Sequence, residues 1–209
     1  LDEVQGGEGG PFRAQNGIDA QAVTFMGAVT DDKGAVHLVR AMQRLWRNGS
    51  KADLIIAGQT VAPSTFERVY EGLPAAHRMR IRRMGPVGGQ LKQDMLAATD
   101  LFVLPSRVDS FGIVYLEAWT YGVPVIGCLA GGVPEVIEEG QDGLLVPFGD
   151  EDSLAAAIEA LLIDPDRRRT MGEQGRAKVK AGYTWDQVHH RLLAACEELV
   201  VSSLRTGAS

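Results

Sequence analysis

Residues 109–117 read DSFGIVYLE, with Asp109 and Glu117 at the two ends of an apolar run that holds Gly112. Two carboxylates in this setting suit three kinds of work: a general acid and base pair, a clamp on the hydroxyls of a sugar and a ribose, or the polar edge of a buried helix. A second candidate lies in GAVTDDKG (27–34), where Lys33 and Gly34 open a helical pattern. An ammonium beside unpaired backbone N–H groups can hold a phosphate; a surface loop lysine is the alternative reading of Lys33. A third is the turn LAGGVPEVIEEG (129–140), in which Gly131 and Gly132 permit close backbone approach and Glu135 falls in a first helical turn.

The elements around these groups set where they meet. Short β-rich runs at 22–27, 52–58, 79–85, 101–106, 124–128 and 143–147 alternate with helical patterns at about 33–48, 64–72, 88–98, 112–122 and 132–138. The alternation predicts an α/β fold: a doubly wound, Rossmann-like parallel sheet of about six strands with helices on both faces, and a ligand site beyond the strands' carboxyl ends. Asp109 then follows the fourth strand and Lys33 the first. With the helix starting near Phe111 or Gly112, the N–H groups of Gly112, Ile113 and Val114 face any anion bound there. A rise of about 1.5 Å per residue leaves Glu117 within side-chain reach of such a ligand; a basic neighbour on another helix is its alternative partner. After the sixth strand the pattern is helical throughout, with Asp150, Pro165 and TWDQ (184–187) as helix starts.

Several classes of function find no support. The turn after the first strand lacks G-x-G-x-x-G spacing, and the second strand ends IIAGQT without the ribose-binding acid of a dehydrogenase. The net charge of −6 and pI near 5.2 argue against nucleic acid as a main partner. The basic runs MRIRRM (79–84) and DPDRRRT (164–170) read as solvated faces. Cys128 and Cys196 lack CxxC spacing, and His37, His77, His189 and His190 form no metal-binding pattern. No stretch approaches the roughly 20 apolar residues of a membrane span, so a cytoplasmic protein is expected.

The order of these motifs resembles the C-terminal, donor-binding domain of retaining GT-B glycosyltransferases of the group 1 family. The matching run is LFVLPSRVDSFGIVYLEAWTYGVPVIGCLAGGVPEVIEEGQDGLLVPFGDEDSLAAAIEALLIDP, supported by KG at 33–34 and TW before the last helix. The resemblance implies transfer of a sugar from a nucleotide-diphosphate sugar to an acceptor hydroxyl, with no metal and no other cofactor. It gives Lys33 the donor diphosphate, Glu117 the ribose, and Asp109 a place against the donor sugar. Ser110, Phe111, Gly112, Ile113, Val114, Gly131 and Gly132 fall in the donor-binding set, with Gly85 and Val87 beside the nucleobase.

Two departures from the family pattern stand out: Gly27 is followed by Ala28 where arginine is usual, and Asp109 stands where glutamate is usual. They leave a catalytically inactive nucleotide-sugar binding module as the alternative. Residues 1–20, with GGEGGP, read as a linker or flexible tail, 21–183 as the donor-binding domain, and 184–209 as a C-terminal helix. The resemblance also implies a partner, an acceptor-binding N-terminal domain lying outside these 209 residues, toward which that last helix packs. Membrane contact is expected only of the full-length protein, at the inner face.

Overall fold

The computed structural model describes residues 6–62, 64–110 and 112–183. The expected helix at 184–209 lies outside the described residues, as does Phe111.

Six strands form one sheet: β1 (Ala22–Met26), β2 (Asp53–Ala57), β3 (Ile81–Gly85), β4 (Leu101–Val103), β5 (Val125–Cys128) and β6 (Gly143–Val146). Every pairing is parallel and the order is β3-β2-β1-β4-β5-β6. All five residues of β1 and of β2 are buried, because helices cover both faces of an inner parallel strand and leave no solvent side to reward a polar residue. β3 begins two residues later than the sequence pattern suggests. Pro74 opens a short helix over Ala75–Arg78, and that turn consumes the start of the expected strand.

The helices divide between the two faces. α2 (Ala35–Arg47) presents Val36, Leu38, Val39, Met42, Leu45 and Trp46 to the core at helical spacing, and packs against α8 (Glu151–Ile163). α6 (Ile113–Thr120) packs against α9 (Pro165–Gly182), with Trp119 fully buried and its indole N–H donating to the Asp142 carbonyl at 2.9 Å. Each large apolar side chain removed from water here contributes roughly 1.5–3 kcal/mol.

The segment expected to be a linker is not one over its described part. Gly9–Asn16 forms α1, which packs against α5 (Gly89–Ala97), with Phe12 only 3% exposed. Two of the four glycines that suggested a tail, Gly7 and Gly9, serve close approach instead. A β-carbon on Gly7 would lie 2.1 Å from the Gln93 carbonyl oxygen, and one on Gly9 2.3 Å from that of Ala97. Glu8 N–H donates to Asp94, and Arg13 pairs with Asp100 while reaching the Ala98 and Ala20 carbonyls.

The run at 164–170 is mostly exposed, as expected of a solvated face, but one arginine in each basic run, Arg82 and Arg168, is drawn into the fold. Arg82 donates to the Asn16 and Gly17 carbonyls at the C-terminus of α1, and Arg168 to those of Leu161 and Leu162 at the end of α8. Each guanidinium satisfies carbonyls that a helix end leaves without intrahelical partners.

Candidate functional site

The chain leaves β3 at one edge of the sheet and re-enters at β4, beside β1. The order reverses between β1 and β4, and the crevice beyond their carboxyl ends is where open parallel sheets bind ligands. The loop after β1 carries Lys33 and the loop after β4 carries Asp109, so the topology delivers both groups to the two lips of that crevice.

The Lys33 ammonium donates to Asp109 Oδ1 at 2.7 Å, and the side chains are 24% and 13% exposed. Among the described residues, Oδ2 of Asp109 is buried and has no hydrogen-bonding partner. A buried acceptor without a donor costs free energy, so this oxygen favours a ligand hydroxyl. Alongside, Arg107 pairs with Asp32 on the same two loops, Nη2 to Oδ1 at 2.6 Å, and its backbone N–H donates to the Asp32 carbonyl.

α6 begins at Ile113, one or two residues later than expected, with Gly112 as its N-cap at φ 65°. That left-handed backbone suits glycine, and a β-carbon there would strike the Tyr115 ring at 2.4 Å. The first helical hydrogen bond runs from Tyr115 N–H to the Gly112 carbonyl, which leaves the Gly112, Ile113 and Val114 amides outside the helical ladder. Tyr115 is itself buried and its hydroxyl donates to the Leu104 carbonyl at 2.7 Å, tying the helix start to β4's exit. Burial, and then the nearby Asp109 charge, push the phenol's pKa well above its ordinary value, so it stays a donor.

The loop after β5 lies directly against this turn. Gly132 N–H donates to the Asp109 carbonyl at 3.0 Å. A β-carbon on Gly131 would lie 2.4 Å from that same oxygen, and one on Gly132 1.9 Å from the Ser110 carbonyl oxygen. Gly131 and Gly132 therefore support the backbone of Asp109 and Ser110 from below, a packing role visible in the structure itself. Glu135 stands in the first turn of α7 (Val133–Val136).

Glu117 meets the basic neighbour that was its alternative partner. Its Oε1 accepts from Lys92 Nζ, on α5, at 2.7 Å, with side chains 13% and 25% exposed. Lys92 drew no attention in the sequence, where one lysine in an α5 pattern looks like any exposed helix residue. Gly85 and Val87 lie at the end of β3 and just beyond it. Of the expected site residues, only Gly85 lines the neighbouring cavity of about 450 Å³, which Val29, Gly58, Thr60, Phe66 and Arg83 also line. Arg83 there stacks over the Phe66 and Tyr70 rings and pairs with Glu67. Among the described residues, no helix is long and apolar enough to cross a membrane.

Comparison with known proteins agrees with this geometry. The family described as "Glycosyl transferases group 1" matches residues 11–178. A GDP-mannose-dependent monoacylated alpha-(1-6)-phosphatidylinositol monomannoside mannosyltransferase of Corynebacterium glutamicum is 36% identical over 167 residues, covering 77% of this chain and 42% of the relative. Sucrose-phosphate synthase from Thermosynechococcus elongatus superposes with a TM-score of 0.76 at 27% identity, over 94% of this chain and 50% of that one. Anabaena HepE in complex with UDP-glucose gives a TM-score of 0.80 at 22% identity, over 90% of this chain and 52% of that one, a likeness of fold. The chain thus spans about half the length of the three relatives named here. With its α/β sheet of GT-B type and its two-lipped crevice at the switch point, the chain belongs to the group 1 glycosyl transferases.

Proposed function

We propose that the chain binds the donor in a retaining glycosyltransferase that moves a sugar from a nucleotide-diphosphate sugar to an acceptor hydroxyl. The observation that carries this reading is the convergence of Lys33, Asp109 and the first-turn amides of α6 on the crevice between β1 and β4. The diphosphate lies against Lys33 and the amides of Gly112, Ile113 and Val114, where a cation and fixed N–H dipoles stabilise the charge that grows on the leaving group. Asp109 Oδ2 accepts from a donor-sugar hydroxyl. Glu117, steadied by Lys92, accepts from the ribose, and the base rests near Gly85 and Val87. The reading assigns leaving-group stabilisation to protein groups and calls for no metal. The acceptor site comes from polypeptide outside these residues, and the proposed compartment is the cytoplasm or the inner face of its membrane.

The relatives named above use GDP-mannose in one case and bind UDP-glucose in another, so the test spans several nucleobases. Calorimetry of the chain against UDP-, GDP- and ADP-sugars tests the reading. Binding of one donor with loss of affinity in Lys33→Ala supports it; no binding by demonstrably folded protein overturns it. A second reading, a binding module without transfer, is favoured by the Lys33–Asp109 pair, because the ammonium that should stabilise the leaving group is already neutralised. Transfer by the full-length protein, followed by release of nucleoside diphosphate, decides between the two.

A further inference from the structure

We infer that Arg107 is a second cation for the donor diphosphate, held in reserve by Asp32; the inference rests on the donor-site reading above. The two loops that form the crevice carry three carboxylates, Asp31, Asp32 and Asp109, against two cations, Lys33 and Arg107. A nucleotide sugar adds one negative charge on each of its two phosphates. Lys33 is already spent on Asp109 in a pair that is mostly shielded from water, and the start of α6 supplies only about half a positive charge. As they stand, the loops therefore repel the ligand they are shaped to hold, and one of the ion pairs has to open.

The pair that opens at least cost is Arg107–Asp32. Its side chains are 56% and 49% exposed, against 24% and 13% for Lys33 and Asp109. Exposed pairs are screened and weak, and water replaces the lost partner of each group. Arg107 is also anchored where it is needed. Its backbone N–H donates to the Asp32 carbonyl at 3.0 Å, Asp32 directly precedes Lys33, and Asp109 lies two residues beyond Arg107. Guanidinium and ammonium thus hang from neighbouring positions on the same pair of loops.

The guanidinium takes both Nε and Nη2 to Asp32 Oδ1, and its carbon lies 5.3 Å from the centroid of the Phe148 ring. The ring can keep its contact with the guanidinium face while the planar fork turns from a carboxylate to a phosphate, the two anions an arginine fork matches.

The test measures binding of UDP, GDP and ADP, and of uridine, guanosine and adenosine, to the wild-type chain and to Arg107→Gln, Arg107→Lys and Asp32→Asn. Thermal melts establish that each variant is folded. For the diphosphate that binds, R107Q is expected to lose about tenfold in affinity, and R107K to recover part of it. D32N is expected to bind about two to five times more tightly, because the reserve is released. Binding of the matching nucleoside should not change. Unchanged diphosphate affinity in R107Q overturns the inference. So does weaker binding in D32N, equal to that of R107Q, which would mean that the pair only fastens the two loops together. If no diphosphate binds the wild-type chain, the donor-site reading itself falls, and the inference falls with it.

Discussion

Lys33 and Asp109 form an ion pair across the crevice between β1 and β4, and the pair uses only one of the two carboxylate oxygens. The arrangement makes each residue the other's support. Removing the ammonium leaves a mostly buried carboxylate uncompensated, which costs more than the pair is worth. Lys33→Ala should therefore lower unfolding free energy by about 2 kcal/mol in urea denaturation. Adding Asp109→Asn to Lys33→Ala should restore part of that loss, since the amide carries no charge to bury. A double variant less stable than Lys33→Ala would show that Asp109 holds the loop by some other contact.

Most of the sheet was legible because β1, β2, β4, β5 and β6 are short, largely apolar runs between loop residues, and the inner strands β1 and β2 need that on both faces, whereas β3 carries Arg82 and Arg83. That Lys33, Asp109 and Gly112 lie together was legible because strand ends and helix starts place them at one edge. Lys92 was not, because its importance lies in a contact between α5 and α6 that no local spacing encodes. α1 was misread for a related reason. Gly9, and Gly7 just before the helix, are close-approach residues, which only the facing α5 backbone shows. Arg82 and Arg168, in the two basic runs, likewise looked solvated until the helix ends that they cap were in place.

The Lys92–Glu117 pair should behave as a coupled unit. With side chains 25% and 13% exposed, it lies between a surface pair and a buried one. A double-mutant cycle with Lys92→Met and Glu117→Gln should give a coupling of about 1 kcal/mol in stability. The same variants separate roles in binding. Glu117→Gln should weaken the nucleoside diphosphate more than its 2′,3′-dideoxyribose analogue. Equal losses for the two would remove Glu117 from the ribose.

Gly132 should tolerate no side chain, for steric reasons alone. Its φ of −87° is open to any residue, but a β-carbon would lie 1.9 Å from the Ser110 carbonyl oxygen. Gly132→Ala should cost about 2–3 kcal/mol and shift the Asp109 loop. Gly88→Ala, where nothing lies within 4 Å, is the control and should stay within about 0.5 kcal/mol of wild type. Similar denaturation midpoints for the two variants would mean that the loop after β5 yields freely.

Acid stability should carry the signature of Glu151. Burial alone would raise its pKa, but the hydrogen bonds and charges of Arg40 and His37 outweigh it and hold the carboxyl below its ordinary value of 4.5. A carboxylate whose folded pKa is depressed stabilises the fold above its unfolded pKa, and that stability is lost as pH falls through the folded one. Glu151→Gln should therefore be less stable than wild type at pH 7, and the difference should shrink below about pH 4.5. A difference that holds constant to pH 3 would show that the side chain acts through packing rather than charge.

Phe12 tests whether the first helix belongs to the core. It is 3% exposed, in a helix that packs against α5. A phenylalanine in a tail contributes nothing to global unfolding, whereas one packed in a core contributes its transfer free energy and the cost of the cavity it would leave. Phe12→Ala should lower the unfolding free energy by about 3 kcal/mol, with a single transition and an unchanged denaturant slope. A loss under about 0.5 kcal/mol would return this segment to the role of a spacer. Because α1 fastens to the same α5 that carries Lys92, the variant should also weaken nucleoside diphosphate binding when α5 is loosened. Unchanged affinity alongside the full stability loss would mean that α5 keeps its place against α6 without α1.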